Sequence, residues 1–175
     1  MKPPTTVDEL LVIMASGAGV YDEPDVDGLA HALQCGAILR AEHADDPQLA
    51  AAGLVHDIAD IAYPDDHRDH ARHGAVLVEP LLGARVARLV GAHVDAKRYL
   101  IATDPSYRER LSPRSIETLV GQGDALDHTA RAQLAADPDL DAILELRRAD
   151  ERAKNPAAQP LALHTWRGLL ETLAR

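Results

Sequence analysis

The stretch Ala50-Ala51-Ala52-Gly53-Leu54-Val55-His56-Asp57-Ile58 decides the fold. An unbroken run of small and aliphatic residues meets an imidazole and a carboxylate, then turns apolar again. Pro47 stands where a first-turn proline belongs, with Asp46 as N-cap, so the run reads as a helix from Pro47 to about Ile61. His56 and Asp57 at its apolar end are costly to bury without partners.

Working outward, the 3.6-residue period gives helix after helix. Val7–Ala15 and Gly28–Ala44 precede the run, separated by a Gly/Pro/Asp-rich loop over Ser16–Asp27 that carries Tyr21. Tyr63–His70 is polar and irregular. Helices follow over His70–Leu82 and Ala84–Tyr99, parted by Gly83, then from the Ser112-Pro113 cap to about Gly121 or Gly123. Asp139–Lys154 and Leu161–Ala174 complete the set. No alternating stretch stands out, and the expected fold is all-α, a single helical domain over residues 1–175.

Composition supports this reading. The chain is 46% apolar but only 3% aromatic, with no Phe, so Leu, Val, Ile and Ala must fill the core, and such residues suit helix-on-helix packing. A formal net charge of -10 argues against nucleic acid or an anionic membrane as partner. It leaves room for an anionic small molecule held by a few placed cations. The single Cys35 cannot form an internal disulfide, no signal peptide is visible and no apolar run is long enough to span a bilayer. The expected location is therefore cytoplasmic.

Three of the nine histidines interrupt apolar sequence. His31 lies within Leu29–Leu39, His56 precedes Asp57, and His93 follows Leu89-Val90-Gly91-Ala92. One such residue alone reads as a hydrogen-bonded core histidine. The adjacent His-Asp pair, with further histidines on preceding and following helices, reads as a metal site, because imidazoles and carboxylates together suit Zn, Mn or Fe. Neighbouring ligands on a helix point about 100° apart, so a carboxylate can bridge to a second ion. His43, His67, His73, His128 and His164 lie in polar surroundings and are expected at the surface. Spacing alone does not separate His67, His70 and His73.

Two further patterns concern anions. Lys97 lies four residues after His93, and Arg147 three before Asp150, so each cation shares a helix face with a group able to ligate a metal. That suits a chelated phosphate or phosphonate. Ser115, Thr118 and Gln122 form one helical stripe, which lines either a polar cavity or, with Ile116 and Leu119 turned inward, the solvent face.

His31, His56-Asp57 and Asp150 reproduce the H…HD…D pattern of the HD superfamily, whose commoner members are phosphohydrolases. Around His31-Ala-Leu-Gln-Cys, Gly91-Ala-His-Val-Asp-Ala-Lys-Arg-Tyr-Leu100, Ser115-x-x-Thr-Leu-x-x-Gln-Gly123 and Asp150-Glu-Arg-Ala-Lys154, the chain resembles more narrowly the HD-domain mixed-valent diiron oxygenases that cleave carbon–phosphorus bonds. The likeness spans about residues 21–154. It implies that His31, His56, Asp57 and Asp150 hold one iron, with Asp57 bridging, and that His70 and His93 hold the other. It further implies an Fe(II)/Fe(III) pair with O₂ as co-substrate and an organophosphonate as substrate. Lys97, Ser115, Thr118, Gln122 and Arg147 match phosphonate-holding positions, which favours the cavity reading of the stripe. Tyr21 matches a loop tyrosine that occupies an iron until substrate displaces it. Two positions depart from the pattern: Asp60 stands where a substrate-contacting His is common, and Pro24, beside Glu23, where a loop glutamate is expected. An Asp facing the organic tail would favour a cationic substituent. The rival readings are a metal-dependent phosphohydrolase and a non-catalytic metal-binding protein.

Overall fold

In the computed structural model, residues 1–63 and 69–175 are described, with the backbone alone at Asp22 and Glu23. The polar stretch expected over Tyr63–His70 and the surface placement of His67 fall largely outside the described residues. Among the described residues there are ten α-helices: α1 Val7–Ala15, α2 Gly28–Glu42, α3 Pro47–Val55, α4 Ile58–Ala62, α5 His70–Leu82, α6 Ala84–Thr103, α7 Pro113–Gly121, α8 His128–Ala135, α9 Leu140–Arg152 and α10 Arg167–Leu173. The all-α architecture is as the sequence predicts. Among the described residues, no helix is long and apolar enough to cross a membrane.

Several starts follow from local chemistry. The Thr6 hydroxyl and Glu9 carboxylate form a capping box at α1, and Asp27, Asp46 and Ser112 each accept a backbone N–H at the starts of α2, α3 and α7. Gly83 stops α5 with φ +86°, a conformation costly for side chains, and α6 begins at the next residue.

The expected helix Pro47–Ile61 is corrected to two, α3 and α4, broken at His56-Asp57. The His56 Nδ1–H donates to the Gly53 carbonyl at 2.9 Å, the acceptor that an uninterrupted helix would offer to the Asp57 N–H. The His-Asp pair therefore replaces a backbone bond with a side-chain one. Within the expected loop Ser16–Asp27 lies a small hairpin, Tyr21–Glu23 (β1) paired antiparallel with Val26–Asp27 (β2), turning through Asp25 at φ +64°. Helix α8 was not expected, because none of its residues is buried and it shows no apolar stripe. The last expected helix divides into a 3₁₀ turn at Leu163–Trp166 followed by α10.

The core lies among α2, α3, α5, α6 and α9. Close approach of α2 and α3 depends on Gly53: a Cβ there would lie 2.5 Å from Leu39 Cδ1 and 3.3 Å from the Cys35 backbone. Trp166 is fully buried against Gly36, so the C-terminal turn packs on the same pair of helices. This pairing brings the start of α2 and the end of α3 together, which is where His31 and His56 stand.

Candidate metal centre and anion pocket

His31 on α2, His56 and Asp57 at the α3–α4 break, His70 at the start of α5, His93 on α6 and Asp150 on α9 converge at one point. All four imidazoles and Asp150 are buried, and Asp57 is half-buried. The Nε2 atoms of His31 and His56 are 3.2 Å apart, and those of His70 and His93 are 3.0 Å apart. Asp57 stands between the pairs. Its Oδ2 lies 3.5 and 3.2 Å from His31 and His56, while its Oδ1 lies 3.6 and 3.5 Å from His70 and His93. Asp150 Oδ1 adds to the first pair, 3.3 Å from His31 Nε2.

The ring orientations explain what such a cluster needs. His31 Nδ1 meets the Ala153 carbonyl at 2.9 Å, His56 Nδ1 that of Gly53 at 2.9 Å, and His93 Nδ1 that of Val90 at 2.7 Å. Each such bond fixes the Nδ1–H tautomer and leaves an Nε2 lone pair facing the centre. Lone pairs facing one another at this range repel unless a cation sits between them. At metal–nitrogen bonds of about 2.1 Å, adjacent ligands at right angles lie about 3 Å apart, which is the separation seen. The donor set therefore fits two ions, one on each side of the Asp57 carboxylate.

The electrostatics agree. Burial would raise the Asp57 carboxyl, but the imidazoles around it, His56 first, hold it well below the usual carboxylate range. Burial also works against charge on His56, yet Asp57 and Cys35 together outweigh this and raise it well above the usual imidazole range: the point attracts positive charge. His93 is pushed down to about 3, by burial and then by His70, so it stays a neutral ligand. Asp150 is buried too, and Arg147 beside it holds it well below the carboxylate range.

A cavity of about 180 Å³ opens onto this cluster, and Lys97, Ser115, Thr118, Gln122 and Arg147 all line it. Lys97 is 3% exposed, and its ammonium donates to Thr118 Oγ1 at 3.0 Å. Burial, followed by repulsion from Arg147, lowers it to about 8. The stripe on α7 turns inward, with Ser115 buried and Thr118 and Gln122 half-buried; of the two residues that the solvent-face reading turns inward, Leu119 is buried but Ile116 is 38% exposed. Gln122 Oε1 is buried with no hydrogen-bond partner among the described residues. Arg147 is largely committed: Nε donates to the Tyr107 hydroxyl at 2.8 Å, and its two terminal nitrogens to Asp150 and Glu151. It places a fixed positive charge beside Ser115, 3.4 Å from its Oγ.

Asp60 also lines the cavity, with Oδ2 3.8 Å from His70 Nδ1, so it borders a candidate ligand as well as the space for a substrate tail. Tyr21, expected on a loop, is the first residue of β1; it lines the cavity but is 64% exposed, and among the described residues its hydroxyl makes no hydrogen bond. Of the histidines expected at the surface, His128 and His164 are exposed, while His43 and His73 are half-buried. His43 sits between Glu42 and Glu145, carboxylates already paired with Arg152 and Arg148.

The sequence reading missed three contributors. Arg114 and Lys154 add cations to the cavity lining, and Glu151 ties several of the cavity's polar groups together. Lys154 carried a signal, the four-residue interval from Asp150. Arg114 and Glu151 had none in the hydrophobic period.

An all-helical fold that gathers the H…HD…D side chains at one point defines the HD-domain class, whose family pattern matches residues 28–153. The chain belongs to this family. It is 34% identical over 132 residues to 1-hydroxy-2-(trimethylamino)ethyl phosphonate dioxygenase (glycine-betaine-forming) of Leisingera caerulea, covering 71% of this chain and 67% of that one. It is 32% identical over 163 residues to hydroxymethylphosphonate dioxygenase of Gimesia maris, covering 87% and 80% respectively.

Proposed function

We propose that this protein is an O₂-dependent oxygenase with two irons that cleaves the carbon–phosphorus bond of a small 1-hydroxyphosphonate. The observation that carries the reading is the joining, in one cavity, of a ligand set divided by Asp57 with the buried Lys97 beside Thr118. Both relatives are named for phosphonates hydroxylated on the carbon next to phosphorus. The net change is one substrate and one O₂ to one carboxylic acid and one phosphate, with both atoms of O₂ retained in the products.

His31, His56, Asp57 and Asp150 would hold one iron and His70 and His93 the other, with Asp57 shared. The irons, when bound, supply O₂ activation and a Lewis-acid contact to the substrate. The chain's own groups do the rest. Lys97 as ammonium, with Ser115, Thr118 and Gln122, holds the phosphonate oxygens, and the fixed charge of Arg147 offsets theirs. The buried helices around the imidazoles keep bulk water from the reacting carbon. Tyr21 on β1 borders the entrance, where substrate arrival displaces it, and Asp60 faces the substituent, favouring a cationic one.

The test is anaerobic iron loading followed by a panel of 1-hydroxyphosphonates with neutral and ammonium tails, with and without O₂. Phosphate release matched one to one by O₂ uptake is expected. Phosphate release that continues without O₂ would sink the oxygenase reading in favour of a phosphohydrolase. Equal turnover of neutral and cationic tails would remove Asp60 as a selector.

A further inference from the structure

One half-buried carboxylate near the cavity does not line it. Glu151 lies on α9, with a side chain 12% exposed, and lines a separate groove with Tyr107, Arg148 and Arg152. Its bonds point toward the wall of the metal-facing cavity. Oε1 accepts the backbone N–H of Ser112, the N-cap of α7, at 2.8 Å. Oε2 accepts the Ser115 hydroxyl at 3.2 Å and a terminal N–H of Arg147. Lys154 Nζ reaches both carboxylate oxygens at 3.4 Å and donates to Ser112 Oγ at 3.0 Å and Ser115 Oγ at 2.8 Å.

This arrangement answers two needs of α7. The buried side chains of that nine-residue helix are Ser115 and Leu119, so little apolar surface holds it in place. The groups it must face, Lys97, Arg147 and Lys154, carry like charges that repel one another within a small buried volume. A carboxylate behind Ser115 compensates that repulsion and ties α7 to α9 through the backbone N–H of Ser112, a donor fixed by the start of the helix.

We propose that Glu151 is the positioning residue of the anion cradle: it docks the N-terminus of α7 on α9 and so aims Ser115 and Lys154 at an oxyanion in the cavity. The inference rests on reading that cavity as a phosphonate site, but it concerns how the site is assembled rather than the reaction.

The experiment is calorimetric titration of inorganic phosphate and methylphosphonate into the metal-loaded full chain, as wild type, Glu151→Ala and Glu151→Gln, with metal content and helicity checked for each. Loss of a half-buried charge that accepts several hydrogen bonds predicts about tenfold or greater weakening in Glu151→Ala. Glu151→Gln, whose amide oxygen still accepts from Ser112, is expected to lose less, about threefold. Hydrogen exchange of the α7 amides should speed up in Glu151→Ala while that of α2 and α6 does not. A merely stabilising role would move the melting temperature and leave anion affinity alone. Unchanged affinity in both variants overturns the proposal, and tighter binding does so by making Glu151 a competitor of the anion. Should Glu151→Ala not fold, unchanged affinity in Glu151→Gln is by itself decisive. A wild type that binds phosphate but consumes no O₂ with any phosphonate sinks the oxygenase reading and leaves this inference standing. A wild type that binds neither anion sinks both.

Discussion

The wall of the cavity that carries His31, His56, His70, His93 and Asp150 is drawn from α2, α3, α5, α6 and α9, the helices that enclose the core. The wall that carries Ser115, Thr118 and Gln122 is one short helix, α7, tied down by Leu119 and by polar bonds to Lys97, Lys154 and Glu151. On the first wall, packing places the ligands, and backbone carbonyls at Ala153, Gly53 and Val90 orient three of the rings. On the second, the groups that would bind an anion also hold the helix in position. The first wall is preorganised by the fold, whereas the second is preorganised by charge. Substitutions on the two should therefore fail in different ways.

The largest expected effect is at Asp57, whose carboxylate faces both imidazole pairs. Asp57→Ala should abolish activity and lower the metal content below two ions per chain, measured by elemental analysis after loading. The fold should survive, because the half-buried carboxylate adds little apolar packing. A variant that kept two ions would show that the two half-sites are independent and that the shared carboxylate is dispensable.

Next comes Lys97. Removing a hydrogen bond to a charged group costs about 1.5–3 kcal/mol, so Lys97→Ala should lower kcat/KM about 10- to 150-fold with metal content unchanged. Equal loss of metal would mean that the two walls are not separable. Full activity would remove Lys97 from the anion site.

The same lysine sets a pH dependence whose sign is fixed by burial. Its value of about 8 lies below the ordinary one of 10.5, so the cation is present below about pH 8 and lost above it. Anion binding should therefore weaken as pH rises through that value, with kcat/KM falling about tenfold per unit on the alkaline side. The limb should vanish in Lys97→Ala. A limb that persists there belongs to another group.

The difference between the walls also explains what could be read from the sequence. His31, His56, Asp57 and His93 were legible because each interrupts an apolar helix, and periodicity turns that interruption into burial. His70 and Asp150 needed the family likeness, since neither three histidines at three-residue intervals nor one carboxylate among many on α9 carries a periodic signal. The break at His56-Asp57 was hidden because its cause is a side-chain bond to Gly53, not a turn-forming residue. The stripe on α7 was ambiguous because Ile116 is exposed in spite of its chemistry, and an apolar residue on a solvent face defeats pattern reading. Helix α8 escaped because none of its residues is buried, and the Glu151 tie because polar bonds across distant sequence leave no period.

Thr118 offers the smallest and most discriminating test, since it joins the two walls through one bond. Its Oγ1 accepts from Lys97 at 3.0 Å and, at 3.2 Å from the Ser115 carbonyl of its own helix, donates there. Thr118→Val keeps the shape, removes both bonds and leaves the Lys97 ammonium with one acceptor fewer. If α7 is held by charge, the loss should appear first on the lysine: the alkaline limb should move below about 8, since an ammonium stripped of an acceptor gives up its proton more readily. At neutral pH the anion would bind only about 2- to 10-fold more weakly, because a bound phosphonate itself supplies the missing acceptor. The two readouts separate cause from consequence. A shifted limb with a small affinity loss means that Thr118 tunes Lys97 from α7. An affinity loss with no shift means that Thr118 binds the anion directly and that Lys97 is set by α6 alone.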